Sequence, residues 1–93
     1  MRRPRVEWMT RTDDAILEFL LNEGNRPLNA SPRMIESNIE FAISTIRGRL
    51  AKLLEAGLVE YYDEGRGIYR ISQKGRAYLA GELDAEDLEF REE

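Results

Sequence analysis

The sequence predicts a small, mostly helical α+β domain, and three observations carry that prediction. Apolar residues recur at helical spacing in four separate stretches, the period switches to alternation after Gly57, and the alternating part is broken once by the turn formers Asp63-Glu64-Gly65-Arg66-Gly67. The 93 residues leave room for one domain, because a chain of this size buries only about 60–65% of the surface that its unfolded form exposes.

Thr12-Asp13-Asp14 is the expected start of the first helix, placing a capping oxygen and negative charge at the end where free amides point outward. Ala15, Ile16, Leu17, Phe19, Leu20 and Leu21 supply its apolar side, and Asn22 to Gly24 end it, which gives a helix over 12–22. Asn25 to Ala30 form a connector in which Leu28 is the candidate seed of a very short edge strand. Ser31-Pro32 opens a second, short helix over 32–37, with serine as cap and proline pre-shaped for the first helical position. Ser37-Asn38 reads as a turn, and a longer helix then runs over 41–56 to a stop at Gly57. Leu58 to Tyr62 and Ile68 to Ile71 are β-branched and aromatic and form a hairpin with a glycine-rich tip. Ser72 caps a last helix from Gln73 to about Leu83, and Asp84 starts a short acidic segment containing Leu88 and Phe90.

Composition removes most enzyme chemistry. The chain has no cysteine and no histidine, so disulfides, thiolate nucleophiles, histidine bases and the usual zinc ligand sets are absent. The carboxylate pairs Asp13-Asp14, Asp63-Glu64 and Glu92-Glu93 are adjacent in sequence and fall in a helix start, a turn and a tail, where solvation or capping explains them. No catalytic residue, cofactor site or metal site is expected. No apolar run approaches the roughly 18–20 residues of a membrane span, and Met1 to Trp8 lack a signal-peptide core, so a cytoplasmic location without membrane contact is expected.

The formal net charge of −4 is unevenly spread. From Glu82 onward seven acids stand against one base, a balance of −6, which leaves 13 bases and 11 acids, or +2, in the rest of the chain. Arg2, Arg3, Arg5 and Arg11 gather at the N-terminus, and Arg47, Arg49 and Lys52 lie within the third helix. Local field, and not global charge, governs phosphate binding. In that helix Ile43, Ile46, Leu50, Leu53 and Leu54 share one face. At about 100° per residue the opposite face carries Ser44, Thr45, Gly48 and Lys52, with Arg47 and Arg49 on its flanks. Such a small, hydroxylated, basic helix face suits the major groove of double-stranded DNA, about 12 Å wide. Ser44, Thr45 and Arg49 are the candidates for base contact, Arg47 and Lys52 for phosphate contact, and Ser31 with the first amides of its helix for a further phosphate. Arg66 is the single base at the hairpin tip, offset by Asp63 and Glu64. Arg2, Arg3 and Arg5 are either a minor-groove or phosphate arm or a solvated tail. Tyr61, Tyr62 and Tyr69 are expected to pack one side of the hairpin on the body and to wet the other.

The run from Ile46 to Glu60 contains Leu-x-x-Leu-x-x-x-Gly-Leu-Val, and the hairpin ends in Tyr69-Arg70-Ile71-Ser72-Gln73-Lys74-Gly75, the pattern Tyr-x-Ile-Ser-x-x-Gly. In combination these resemble the core of winged helix-turn-helix regulators. With Trp8-Met9, Ser37-Asn38-Ile39 and the stretch Gly75 to Asp84, the chain is similar over nearly its whole length to archaeal phage-repressor-like winged-helix proteins. The resemblance implies a single winged helix-turn-helix domain with a three-helix core, a two-stranded hairpin wing over 58–71 and a C-terminal helix. Along the chain this divides into a basic N-terminal arm over 1–11, core and wing over 12–83, and an acidic C-terminal segment over 84–93. It also implies a DNA-binding transcription regulator, a repressor and often a homodimer, whose third helix reads the major groove while the wing touches the flanking backbone. Val6, Trp8, Met9, Tyr78, Leu79, Leu83, Leu88 and Phe90 are the terminal apolar groups available for a dimer seam. The competing expectation is a winged-helix protein-interaction module, because a fold alone does not fix a function.

Overall fold

The structure, a computed structural model, describes residues 8–83. Four helices and one hairpin follow in the order α1 (Arg11–Leu21), α2 (Pro32–Glu36), α3 (Ile43–Glu55), β1 (Val59–Asp63), β2 (Ile68–Ile71) and α4 (Gln73–Leu79). Val6, Leu88, Phe90, Arg2, Arg3, Arg5 and the acidic segment 84–93 lie outside the described residues.

Helix α1 begins one residue earlier than the sequence suggests because its cap is Thr10 and not Thr12. The Thr10 hydroxyl accepts from the Asp13 amide while the Asp13 carboxylate accepts from the Thr10 amide at 2.8 Å, a reciprocal box that satisfies two otherwise orphaned donors. Asn22 takes the left-handed conformation (φ 50°) and ends the helix, and its side-chain amide donates to the Arg26 carbonyl. Ser31 caps α2 as expected, its hydroxyl accepting from the Met34 amide.

Helix α3 starts later than expected, at Ile43 behind an Ala42 cap that offers no side-chain oxygen. The reason lies in the connector. Ser37 and Asn38 fold their side chains back onto the Arg33 and Met34 carbonyls, and the half-buried Ile39 and Phe41 are drawn onto the core, so the chain turns before it can wind again.

Strand β1 starts at Val59, one residue later than expected, because the Leu58 amide returns to the Leu53 carbonyl at 2.9 Å behind the end of α3, although the Leu58 carbonyl still accepts from the Ser72 amide at 3.1 Å. In the antiparallel hairpin Val59 stands opposite Ile71, Glu60 opposite Arg70 and Tyr61 opposite Tyr69, before a bulge brings Asp63 opposite Ile68. The edge pairing expected at Leu28 occurs at Ala30, which exchanges two backbone hydrogen bonds of 2.8 and 2.9 Å with Tyr69. Leu28 instead donates its amide to Leu20 and closes the connector on α1. Helix α4 ends at Leu79, four residues short of expectation, because Gly81 turns left-handed (φ 74°) and Glu82 donates to the Ala77 carbonyl.

The core gathers Ile16, Leu17 and Leu20 of α1, Ile35 of α2, Ile46, Leu50 and Leu53 of α3, and Leu58, Val59, Ile71 and Tyr78 from the C-terminal half. Three helices thus close on one another while the hairpin roots itself in the same core through Val59 and Ile71. Among the surfaces left outside are the far face of α3 and the tip of the hairpin.

Candidate nucleic-acid interface

Every residue of α3 that the helical period sets opposite the core is exposed: Ser44, Thr45, Arg47, Gly48 and Lys52, joined by Ala51 and Glu55. The buried positions Ile46, Leu50 and Leu53 fix the rotation of the helix, so burial of one stripe dictates presentation of the other. The ridge is polar and narrow over most of its length, with a carboxylate, Glu55, only at its C-terminal end. Gly48 lies at its centre, where an added Cβ would meet nothing within 4 Å.

Arg49 departs from its expected place among base readers. Its Nε donates to Asp13 Oδ1 at 2.9 Å, and its Nη2 donates to Asp13 Oδ2 at 2.9 Å and to the Trp8 carbonyl at 2.7 Å. Asp13 is fully buried, and a buried carboxylate is tolerable only when paired and hydrogen-bonded. The Asp13 hydrogen bonds hold the guanidinium in its charged form more firmly than water does, outweighing the opposing effect of burial. Arg49 therefore fastens α3 to the start of α1 and to the backbone that precedes it. Sequence reasoning missed this pair because 36 residues separate its members and no local pattern marks them as partners. The one signal in the sequence was Asp13 itself, a carboxylate placed one turn ahead of Leu17 on the buried side of α1.

Ser31 is half-buried at the head of α2, with the Met34 amide already taken by its oxygen. Its hydroxyl proton remains as a donor, so the anion site envisaged for it rests on the O–H and not on that amide. Arg33 and Met34 are exposed on α2, Met34 retaining 52% of its surface.

On the hairpin, Asp63 Oδ1 accepts from the Arg66 amide at 3.2 Å, so the acid expected to offset Arg66 also shapes the turn that presents it. The Arg66 side chain is exposed at the tip. The rings of Tyr61 and Tyr69 lie 4.8 Å apart, and Tyr69 packs on the core. Burial, with the contact to the Tyr61 hydroxyl added, pushes the Tyr69 phenol up to about 12. Tyr62 is exposed on the opposite face with the Arg70 guanidinium 5.9 Å from its ring centre, and Arg70 in turn pairs with Glu60. The pairing of tyrosines therefore stiffens one side of the wing and leaves the other wet.

Of the apolar groups considered for a dimer seam, Tyr78 is instead buried in its own core, with its hydroxyl donating to Asp14 at 2.7 Å. Trp8, Met9, Leu79 and Leu83 are half-buried against the same core. Among the described residues no helix is long and apolar enough to cross a membrane.

Comparison with known proteins agrees with this geometry. A family model described as "Winged helix-turn-helix phage repressor" matches residues 1–91. The chain is 38% identical over 86 residues to a "Repressor protein" of Halobacterium phage phiH, covering 91% of this chain and 94% of that one. The crystal structure of the PhiH1 repressor-like protein from Haloarcula marismortui superposes with a TM-score of 0.75 at 36% identity, covering 89% of this chain and 90% of that one.

Proposed function

The chain belongs to the winged helix-turn-helix phage repressor family, a class of regulators and not of enzymes, and from that premise we propose that it binds double-stranded DNA sequence-specifically as a cytoplasmic, homodimeric repressor. The observation that carries the reading is the outward stripe of α3, a row of two hydroxyls, a glycine and two bases that stands clear of its own core.

In the proposed complex α3 enters the major groove. Ser44 and Thr45, near its N-terminal end, meet base edges, because hydroxyls both donate and accept there. Arg47 and Lys52 lie on opposite sides of the stripe and pair with the phosphates that border the groove, fixing register without reading sequence. Ser31 donates to a phosphate on the side of α2, and Arg66 reaches the flanking backbone from the wing tip. Arg49 acts through the fold: it holds α3 at its angle to α1 and touches no base.

The test is a titration of duplex fragments selected from the host genome with wild type and with Arg47→Ala plus Lys52→Ala. Both side chains are exposed, so the double variant stays folded, and its melting temperature is measured alongside. Its affinity falls, and the dependence of log K on log salt becomes shallower by about 0.9 for each phosphate that the variant no longer neutralises. Equal affinity for the two proteins, or no duplex binding by either, sinks the reading. The exposed Met34 and Tyr62 favour a second one, a protein-interaction module, and that second outcome is the result it predicts.

A further inference from the structure

A cleft of about 510 Å³ opens where the connector between α1 and α2, the root of the hairpin and the first turn of α4 meet. No residue of α3 or of the hairpin tip lines it. Val59 and Ile71 are buried in the core, so strand alternation sets their neighbours Glu60 and Arg70, paired across the hairpin, on its outer face. On α4, Gly75 and Tyr78 are buried, which leaves Gln73 and Arg76, one turn apart, exposed on the other wall. Asn29, exposed on the connector, closes the third side.

The chemistry of the walls is that of an anion site. Two guanidiniums stand against one carboxylate, and that carboxylate does not use up the cations. Glu60 Oε2 takes only the Nε of Arg70, at 2.6 Å, which leaves both Nη groups of the fork as donors. Among the described residues the Arg76 side chain has no ion-pair or hydrogen-bond partner. The amides of Asn29 and Gln73 add neutral donors. The volume is that of a small-molecule cleft. Duplex DNA fits it less well, because the outward stripe of α3 and Arg66 contribute nothing to its walls.

The cleft also lies over a joint. Asn29 precedes Ala30 and Arg70 follows Tyr69, and Ala30 and Tyr69 exchange the two backbone hydrogen bonds that tie the connector to β2. The next residue, Ser31, caps α2. A ligand that spans Asn29, Arg70 and Arg76 therefore clamps the start of α2 to the hairpin and to α4.

We infer that this cleft binds a small anion with two oxyanion groups, carboxylates or phosphates, through Arg76 and the free Nη edge of Arg70, and that its occupancy tunes DNA affinity by fixing the hairpin against α2. Planar guanidiniums match either oxyanion in charge-assisted pairs. The use as a switch rests on the proposed DNA reading; the site itself does not.

The experiment melts the full chain in succinate and in inorganic pyrophosphate, each against sodium chloride at equal ionic strength. Wild type gains about 4 °C or more at saturation with one of them, because a ligand that binds only the folded chain stabilises it by mass action. The responding anion tells carboxylate from phosphate chemistry. Arg76→Gln, at an exposed position, stays folded and loses the gain, and Arg70→Gln reduces it. No gain with either anion overturns the site. An equal gain in Arg76→Gln also overturns it, being a general effect of the salt. Duplex affinity is then read by fluorescence anisotropy at constant ionic strength, with and without the responding anion. A change of about threefold or more in wild type and none in Arg76→Gln supports the switch, and an unchanged affinity in wild type overturns it while leaving the site. Weaker duplex binding by Arg76→Gln with no response to either anion assigns the cleft to DNA and overturns the small-anion site. Absence of duplex binding by wild type overturns the DNA reading and the switch, and the melting result still decides the site.

Discussion

A Cβ built on Gly75 would overlap the Leu58 carbonyl oxygen and stand 2.7 Å from Ile71 Cγ1, whereas one built on Gly48 would meet nothing within 4 Å. Both glycines are helical, yet only the first has an internal reason to be there. Gly75 lets α4 seat itself against the end of α3 and the root of β2, where the Ser72 hydroxyl accepts the Gly75 amide and donates to the Gly57 carbonyl. Gly75→Ala must displace backbone, and a loss of at least about 2 kcal/mol is expected in denaturant unfolding. Gly48 costs its helix about 0.5–1 kcal/mol relative to alanine and returns nothing to the isolated fold. Gly48→Ala should accordingly raise the melting temperature by a few degrees. Under the proposed DNA reading, its position at the middle of the exposed stripe supplies a compensating reason, close approach of the helix backbone to a phosphate, with close approach to a partner helix as the alternative. The same substitution is therefore expected to weaken duplex binding severalfold while it stabilises the protein. A variant that is both more stable and equally tight in binding would show that Gly48 serves neither purpose.

Helices α1 and α3 meet through Ile16, Leu17 and Leu20 on one side and Ile46, Leu50 and Leu53 on the other, and the Asp13–Arg49 pair closes the edge of that contact. Apolar packing alone tolerates sliding of one helix along another; a bidentate ion pair with fixed geometry does not. Asp13→Ala removes the capping box and leaves Arg49 half-buried without its counter-charge, so a loss of about 3 kcal/mol or more is expected by urea denaturation. Arg49→Ala alone strands the buried Asp13 and should cost a similar amount, while the double variant should be less destabilised than the sum of the two. Strict additivity in that cycle would mean that the pair carries no coupling. The elements themselves were legible in the sequence wherever the signal was local: Ser31-Pro32 for α2, Ser72 for α4, Gly57 for the end of α3, and the alternation around Asp63 to Gly67 for the hairpin. The stripe from Ser44 to Lys52 was legible too, because periodicity alone sets which residues face away from a buried row. Two of the errors fell where a residue had two possible partners. Thr12 and Thr10 both offer a capping hydroxyl, and only the geometry of Asp13 chooses between them; Arg49 reads as a surface base until a carboxylate 36 positions away is folded beneath it.

At the scale of the molecule, the reading surface is small relative to what specificity requires. Helix α3 is 13 residues long, about 20 Å, and in the proposed complex offers two hydroxyls and a few bases to one passage of the major groove. A good bidentate base contact is worth about 1–3 kcal/mol of discrimination, and single hydroxyl contacts give less, so one copy separates a target from competing sequence only weakly. Two copies on a two-fold axis double the recognised length without new chemistry, provided that their helices fall one helical turn apart, about 34–36 Å. The charge division serves the same arrangement. Under the proposed DNA reading a body at +2 meets the phosphates, while the acids from Glu82 onward leave the whole chain at −4 and would limit accumulation on arbitrary sequence. The expected result is a light-scattering mass of two chains on a pseudo-palindromic duplex, with affinity that depends on the separation of the half-sites. Moving them apart by half a turn, about 5 base pairs, places the second half-site on the opposite face of the duplex and should reduce affinity at least tenfold. A protein that stays monomeric at high micromolar concentration and binds both duplexes alike reads its operator one copy at a time, and the two-fold arrangement is then wrong.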